Sequence, residues 1–189
     1  MKNITIIVFA CFFLCTSFIS DETSKSKHIQ VTYINYAATQ EYKTSDYFSN
    51  EACRYEYLIS DYRMYIDVDF KQKMITSTST FYENYANTDK VFSSFDQFEK
   101  RKANDTLYNP NFTITSTEKS KAICGIQCEN IILSNAEDIY TIWYFKPKRI
   151  KKDRFYTYIH SFFTDVPGII MEINDNGELV KQAVSVEIL

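Results

Sequence analysis

In a chain of 189 residues with a formal charge of −3, only 3 Gly and 3 Pro stand against 15 Tyr and 15 Phe. Phosphate loops and dinucleotide fingerprints need glycines within about eight residues of one another, and Gly125, Gly168 and Gly177 are too scattered for either. The near-neutral charge gives no global case for nucleic-acid binding, and 45% hydrophobic residues exclude a disordered chain.

The first twenty residues are a separate object. Lys2 precedes an apolar run, Ile4 to Ile19, which the charged stretch Asp21 to Lys27 ends. Sixteen residues fall short of the roughly 20 a membrane-spanning helix needs. Residues 1–20 therefore read as a secretory signal peptide, with an uncleaved anchor as the alternative, and 21–189 as a single β-rich domain.

Period-two alternation dominates the rest. Met64, Ile66, Val68 and Phe70 share one face; Val180, Val184, Val186 and Ile188 share another, with Lys181 opposite them. Strands are predicted at 28–36, 53–60, 62–71, 73–82, 111–118, 123–134, 138–146, 168–174 and 178–188. Helices are predicted over Ala37–Asn50 and Ser93–Ala103, the second capped by Ser94. Asn176-Gly177 accepts the positive φ of a tight hairpin and pairs the last two strands antiparallel. Residues 139–145 are apolar on both faces, so that strand should be covered on both sides, with Trp143 and Tyr144 pointing oppositely. The fold class is mainly β: one antiparallel sheet with one or two short helices.

Chemistry-bearing residues are few. His28 and His160 are the two histidines, and no HExxH, GxSxG or SxxK pattern occurs. A cysteine nucleophile with His160, or zinc at Cys124, Cys128 and His160, would rest on spacing any protein can show. No catalytic residue, metal or cofactor is expected. Cys124 and Cys128, if extended, lie about 13 Å apart, too far to bridge unless Gly125 makes a bulge. Cys53 is the natural partner for one of them. A Cys53–Cys128 link would close about 75 residues and contribute roughly 4.5 kcal/mol; three free thiols are the alternative. Tyrosines crowd the first half, where they suit a half-open cavity or an exposed strand face. Between Lys146 and Arg154 lies a basic stretch. Its Lys148, Arg149, Lys151 and Lys152 suit an anionic lipid surface or acidic partner, or else a plain solvated loop.

Three segments carry a likeness. Lys121-Ala-Ile-Cys-Gly-Ile-Gln-Cys128 resembles the K-x-I-x-G-x-x-C segment of the GLPGLI family of exported bacterial proteins. Thr141-Ile-Trp-Tyr144 is similar to its x-x-W-Y strand, and Phe163-Thr-Asp-Val-Pro-Gly-Ile-Ile-Met171 to its F-x-G-L-P-G-L-I-L. The matching positions are Gly125, Cys128, Trp143, Pro167 and Gly168. Asp165-Val166 stand where the family has Gly-Leu, and the basic stretch replaces a proline-rich segment. The resemblance implies an envelope protein of a Bacteroidetes-type Gram-negative bacterium, periplasmic or outer-membrane associated. It also implies a LolA-like half-barrel, a strongly curved sheet around an apolar cavity. The expected function is non-enzymatic binding of an apolar ligand, a lipid or lipoprotein acyl chain, in that cavity. The alternative is an interaction module for an envelope protein, acting through a sheet edge or the 146–154 loop.

Overall fold

The structure, a computed structural model, describes residues 28–37, 40–59, 62–81, 88–97, 112–151, 154 and 166–189. The expected signal peptide, Lys152, His160 and most of the Ser93–Ala103 helix lie outside these residues.

The strands are β1 (His28–Ala37), β2 (Gln40–Ser49), β3 (Ala52–Ile59), β4 (Tyr62–Asp69), β5 (Met74–Phe81) and β6 (Thr88–Ser94), then β7 (Thr113–Ile123), β8 (Ile126–Ser134), β9 (Ile139–Phe145), β10 (Ile169–Asp175) and β11 (Glu178–Ile188). They form one 11-stranded sheet in the order β6-β5-β4-β3-β2-β1-β11-β10-β9-β8-β7. Every pairing is antiparallel. The sheet does not close, so β6 and β7 are its edges.

Two expectations are corrected. The segment read as helix Ala37–Asn50 is strand β2, in register with β1 from His28↔Ser49 to Ala37↔Gln40. Its alternation, Tyr42-Thr44-Asp46-Phe48 against Lys43-Ser45-Tyr47, was masked by the Asp in the inward column. Of the Ser93–Ala103 helix, one turn at residues 95–97 lies within the described residues. That turn carries a reciprocal cap: Gln97 N donates to Ser94 Oγ at 3.2 Å and Ser94 N to Gln97 Oε1 at 3.0 Å.

Two hairpins use positive φ at both turn residues, the geometry whose twist suits paired strands. One is the expected Asn176-Gly177, with φ of 47° and 89°. The other is Cys124-Gly125, with φ of 52° and 76°, closed by the pair Ile123↔Ile126.

The sheet is strongly curved. From β8 to β11 is three strand steps, about 14 Å along a flat sheet. Yet Cys124 Sγ, in the β7–β8 turn, lies 3.3 Å from the Ala183 carbonyl of β11. The inner face holds the main core, which includes Val31, Phe48, Cys53, Tyr55, Val68, Cys128, Phe145 and Met171. A second core packs on β8–β10: Ile131, Leu133, Ile142, Tyr144, Ile170 and Ile173, with Val166. Strand β9 is thus packed on both sides, Trp143 and Phe145 against the main core and Ile142 and Tyr144 against the second.

Two bulges decide which residues face inward. On β10, Ile170 opposes Tyr144 and Glu172 opposes Trp143, so Met171 is the extra residue. On β11, Thr32 opposes Ser185 and Tyr33 opposes Ala183, so Val184 is the extra residue. A bulge reverses the alternation beyond it. Val180 therefore packs on the second core and Val186 on the main one, and Lys181 shares the face of Ala183, toward Tyr33 and Asp46. The single apolar face expected for β11 is split in two.

Candidate functional site

A small cavity lies between strands β1–β3 and strand β10. Tyr33 of β1, Asp46 and Phe48 of β2, and Tyr55 and Tyr57 of β3 form one side; Ile169, Ile170 and Ile173 of β10 form the other, with Gly168 and Lys181. Its volume is about 20 Å³, and roughly 10–15 Å³ holds a water molecule.

Gly168 explains how β10 comes so close. A Cβ there would sit 2.2 Å from the Phe145 carbonyl oxygen and 3.0 Å from the Tyr144 ring. The missing side chain lets the Pro167-Gly168-Ile169 segment lie directly on the end of β9 and form the cavity wall.

The polar end of the cavity is the pair Asp46–Lys181, with Lys181 Nζ 3.3 Å from Asp46 Oδ2. Both side chains are nearly buried, Lys181 12% and Asp46 4% exposed. Burial lifts the Asp46 carboxyl above its ordinary range; the Lys181 ammonium and the Glu56 N–H pull it back only in part. Lys181 Nζ also rides 3.9 Å from the centre of the Tyr33 ring. That ring is fixed by its hydroxyl, which donates to the Ile170 carbonyl at 2.8 Å. Burial raises the hydroxyls of Tyr33, Tyr55 and Tyr57 well above the usual phenol range, so all three stay protonated.

The cavity sits where the sheet is split. The β2–β3 ladder is confined to Tyr47↔Arg54 and Phe48↔Cys53. Beyond it, side chains replace strand pairing. Glu56 N donates to Asp46 Oδ1 at 3.2 Å, and Ser45 N donates to Glu56 Oε2 at 3.0 Å.

A second polar cluster lies beside Trp143. Glu172, 5% exposed, receives Lys121 Nζ at 2.6 Å, Asn174 Nδ2 at 2.9 Å and Gln182 Nε2 at 3.1 Å. Lys121 Nζ lies 4.5 Å from the Trp143 ring centre. Three donors thus converge on one carboxylate, and the cluster ties β7 to β10 and β11.

The basic stretch is a strap rather than a free loop. Asn50 grips its backbone from both sides: Asn50 Nδ2 donates to the Arg149 carbonyl at 2.7 Å, and Lys151 N donates to Asn50 Oδ1 at 2.9 Å. Ile150 between them is buried, and Arg154 lies over Phe70, 4.3 Å from the ring centre. Lys148, Arg149 and Lys151 are exposed.

Cys53, Cys124 and Cys128 are free thiols, so the Cys53–Cys128 bridge is not formed. The two residues are six strands apart in the sheet order, and each sulfur serves its own surroundings. Cys53 Sγ donates to the Arg154 carbonyl at 2.9 Å and Cys128 Sγ to the Ile126 carbonyl at 3.4 Å. Burial pushes the Cys53 thiol up to about 12 and the Cys128 thiol to about 11. A neutral thiol is a poor nucleophile and a poor metal ligand. Among the described residues no three His, Cys, Asp or Glu side chains gather as a metal site.

Of the positions singled out in the sequence, Gly168 lines the cavity; Cys128 lies in the inner core and Trp143 packs against it, Gly125 is in a turn, and Pro167 precedes the cavity wall. Asp46, Lys181, Tyr33 and Tyr55 were missed as a set. An Asp in an inward strand column was their signal, and the helix reading of β2 hid it.

No protein-family model and no curated protein matches the chain. Solved structures do. PNGF-II aligns in two crystal forms. In the first the identity is 13% and the TM-score 0.54, covering 86% of this chain and 28% of that one. In the second the identity is 12% and the TM-score 0.56, covering 87% and 29%. This chain therefore spans less than a third of PNGF-II, and the likeness is one of fold. An uncharacterized conserved protein from Thermus thermophilus aligns at 11% identity and a TM-score of 0.46, covering 93% of this chain and 88% of that one.

Proposed function

We propose that the chain is an exported, non-enzymatic cell-envelope protein of the GLPGLI type that binds an apolar ligand, a lipid or lipoprotein acyl chain, on the inner face of its sheet. The cavity beneath Gly168 carries this reading. Its walls are aromatic and aliphatic, one charged pair stands at its end, and the Pro-Gly-Ile-Ile segment builds one side. Apolar walls with a few converging polar groups are the usual make-up of a ligand site. The volume sets what enters: one or two heavy atoms at the end of a ligand, not a whole chain. Lys148, Arg149 and Lys151 on the strap would meet an anionic headgroup or acidic partner. Delipidated protein should bind a fluorescent acyl ester saturably, in competition with unlabelled lipid. Linear, non-competable uptake would refute the reading.

A second reading, an interaction module working through a sheet edge, is favoured by β7. Thr113 to Ser116, the half of this edge strand before Glu118, Lys119 and Lys121, are exposed and carry no charge, and Ile114 is 47% exposed. Native edges are usually blunted by charge or proline. Ile114→Lys should then abolish recovery of an envelope partner without altering acyl-ester binding.

A further inference from the structure

The cavity has donors without an acceptor. Tyr55, 2% exposed, has a hydroxyl with no hydrogen-bond partner among the described residues. Its polar neighbour is the Cys53 sulfur, a weak acceptor whose own proton goes to the Arg154 carbonyl. Lys181 Nζ has three N–H groups and one hydrogen bond, the 3.3 Å contact to Asp46. Both residues line the same cavity. A buried donor left unpaired is costly, so such groups mark a missing water or ligand oxygen.

Resting on the apolar-ligand reading above, we infer that the cavity takes a single neutral carbonyl oxygen, the head of an acyl amide or ester, between Tyr55 Oη and Lys181 Nζ. Two observations choose this over a free fatty acid. About 20 Å³ is the size of one oxygen with its nearest atoms, not of an open chain. Asp46 already supplies the counter-charge to Lys181, so a second carboxylate would leave the site net negative where water cannot screen it. A neutral oxygen satisfies both donors and adds no charge.

Calorimetric titration of the whole protein at pH 8 with N-methyldecanamide and with sodium decanoate tests this. Wild type should bind the amide at least about fivefold more tightly than decanoate. Tyr55→Phe removes a hydroxyl whose protein neighbour is the weakly accepting Cys53 sulfur, so it should fold with little change in stability. It should weaken amide binding about fivefold and leave decanoate unmoved. Equal or tighter decanoate binding, or an amide affinity indifferent to Tyr55→Phe, overturns the carbonyl assignment while the apolar-ligand reading stands. Binding of neither compound brings down both.

Discussion

Asp46 and Glu56 each hold the backbone beside the other: Asp46 Oδ1 accepts the Glu56 N–H and Glu56 Oε2 accepts the Ser45 N–H. Two carboxylates thus stand in for a stretch of β2–β3 ladder. Asp46 does this while holding Lys181 with its other oxygen. Removing a buried partner strands a charge, at about 3–5 kcal/mol. Asp46→Ala should therefore lower stability by about that amount in urea unfolding. Asp46→Asn keeps an oxygen for the Glu56 N–H and should cost about 1–2 kcal/mol less. Equal losses for the two variants would show that the stitch contributes nothing.

Gly168 and Gly177 make a matched contrast. At Gly168 a methyl group meets the Phe145 backbone at 2.2 Å, while at Gly177 nothing lies within 4 Å and only the φ of 89° resists it. Gly177→Ala should cost about 1 kcal/mol. Gly168→Ala should cost more than about 2 kcal/mol, since backbone rather than a flexible side chain must move. Thermal unfolding of both variants ranks them, and the reverse order would contradict the close approach.

The two buried carboxylates respond oppositely to acid. Burial alone would raise Glu172, but Lys121, Asn174 and Gln182 outweigh it and hold the carboxyl below its ordinary range. Its contribution is present above the unfolded value, about 4.3, and is lost as pH falls through the lowered folded value. Asp46 is raised, so the native state holds its proton more tightly. Its effect is a loss of stability as pH rises from about 3.9 through the folded value. Glu172→Gln should flatten the acid loss, and Asp46→Asn should increase the gain in stability between pH 4 and pH 7. Urea titrations at half-unit pH steps check both slopes; a parallel response of the two variants would be incompatible with opposite shifts.

Thiol labelling separates Cys53, Cys124 and Cys128. Cys124 is exposed in a turn, whereas Cys53 and Cys128 are buried and protonated. At pH 8 native protein lacking residues 1–20, and with them Cys11 and Cys15, should take up one equivalent of a thiol reagent at Cys124 and three after denaturation without reductant. One equivalent after denaturation would instead indicate a disulfide.

The antiparallel β architecture was legible because residues such as Met64, Ile66, Val68 and Phe70 alternate without interruption. So was the last hairpin, because Asn176-Gly177 names its own turn type. What escaped the sequence depends on contacts between distant strands. Lys181 faces inward only because of the bulge at Val184, and nothing local announces that extra residue. Asp46 lies in the inner column because Lys181, 135 residues away, compensates it. The strap was legible as basic and not as anchored, since its anchor is Asn50, in the turn between β2 and β3.

The sheet order has a consequence for how the chain can be rewired. His28 and Leu189 exchange both backbone hydrogen bonds, at 2.9 and 3.3 Å. The two edges, β6 and β7, are successive in sequence. The one pairing that is distant along the chain is β1 with β11; every other strand pairs with its sequence neighbour. A chain joined by a tight turn from Leu189 to His28 and opened between β6 and β7 would be an uninterrupted meander of ten hairpins. Its strand pairings would all be between sequence neighbours, so it should fold faster than the natural connectivity, in which two separately zipped halves must find each other along β1 and β11.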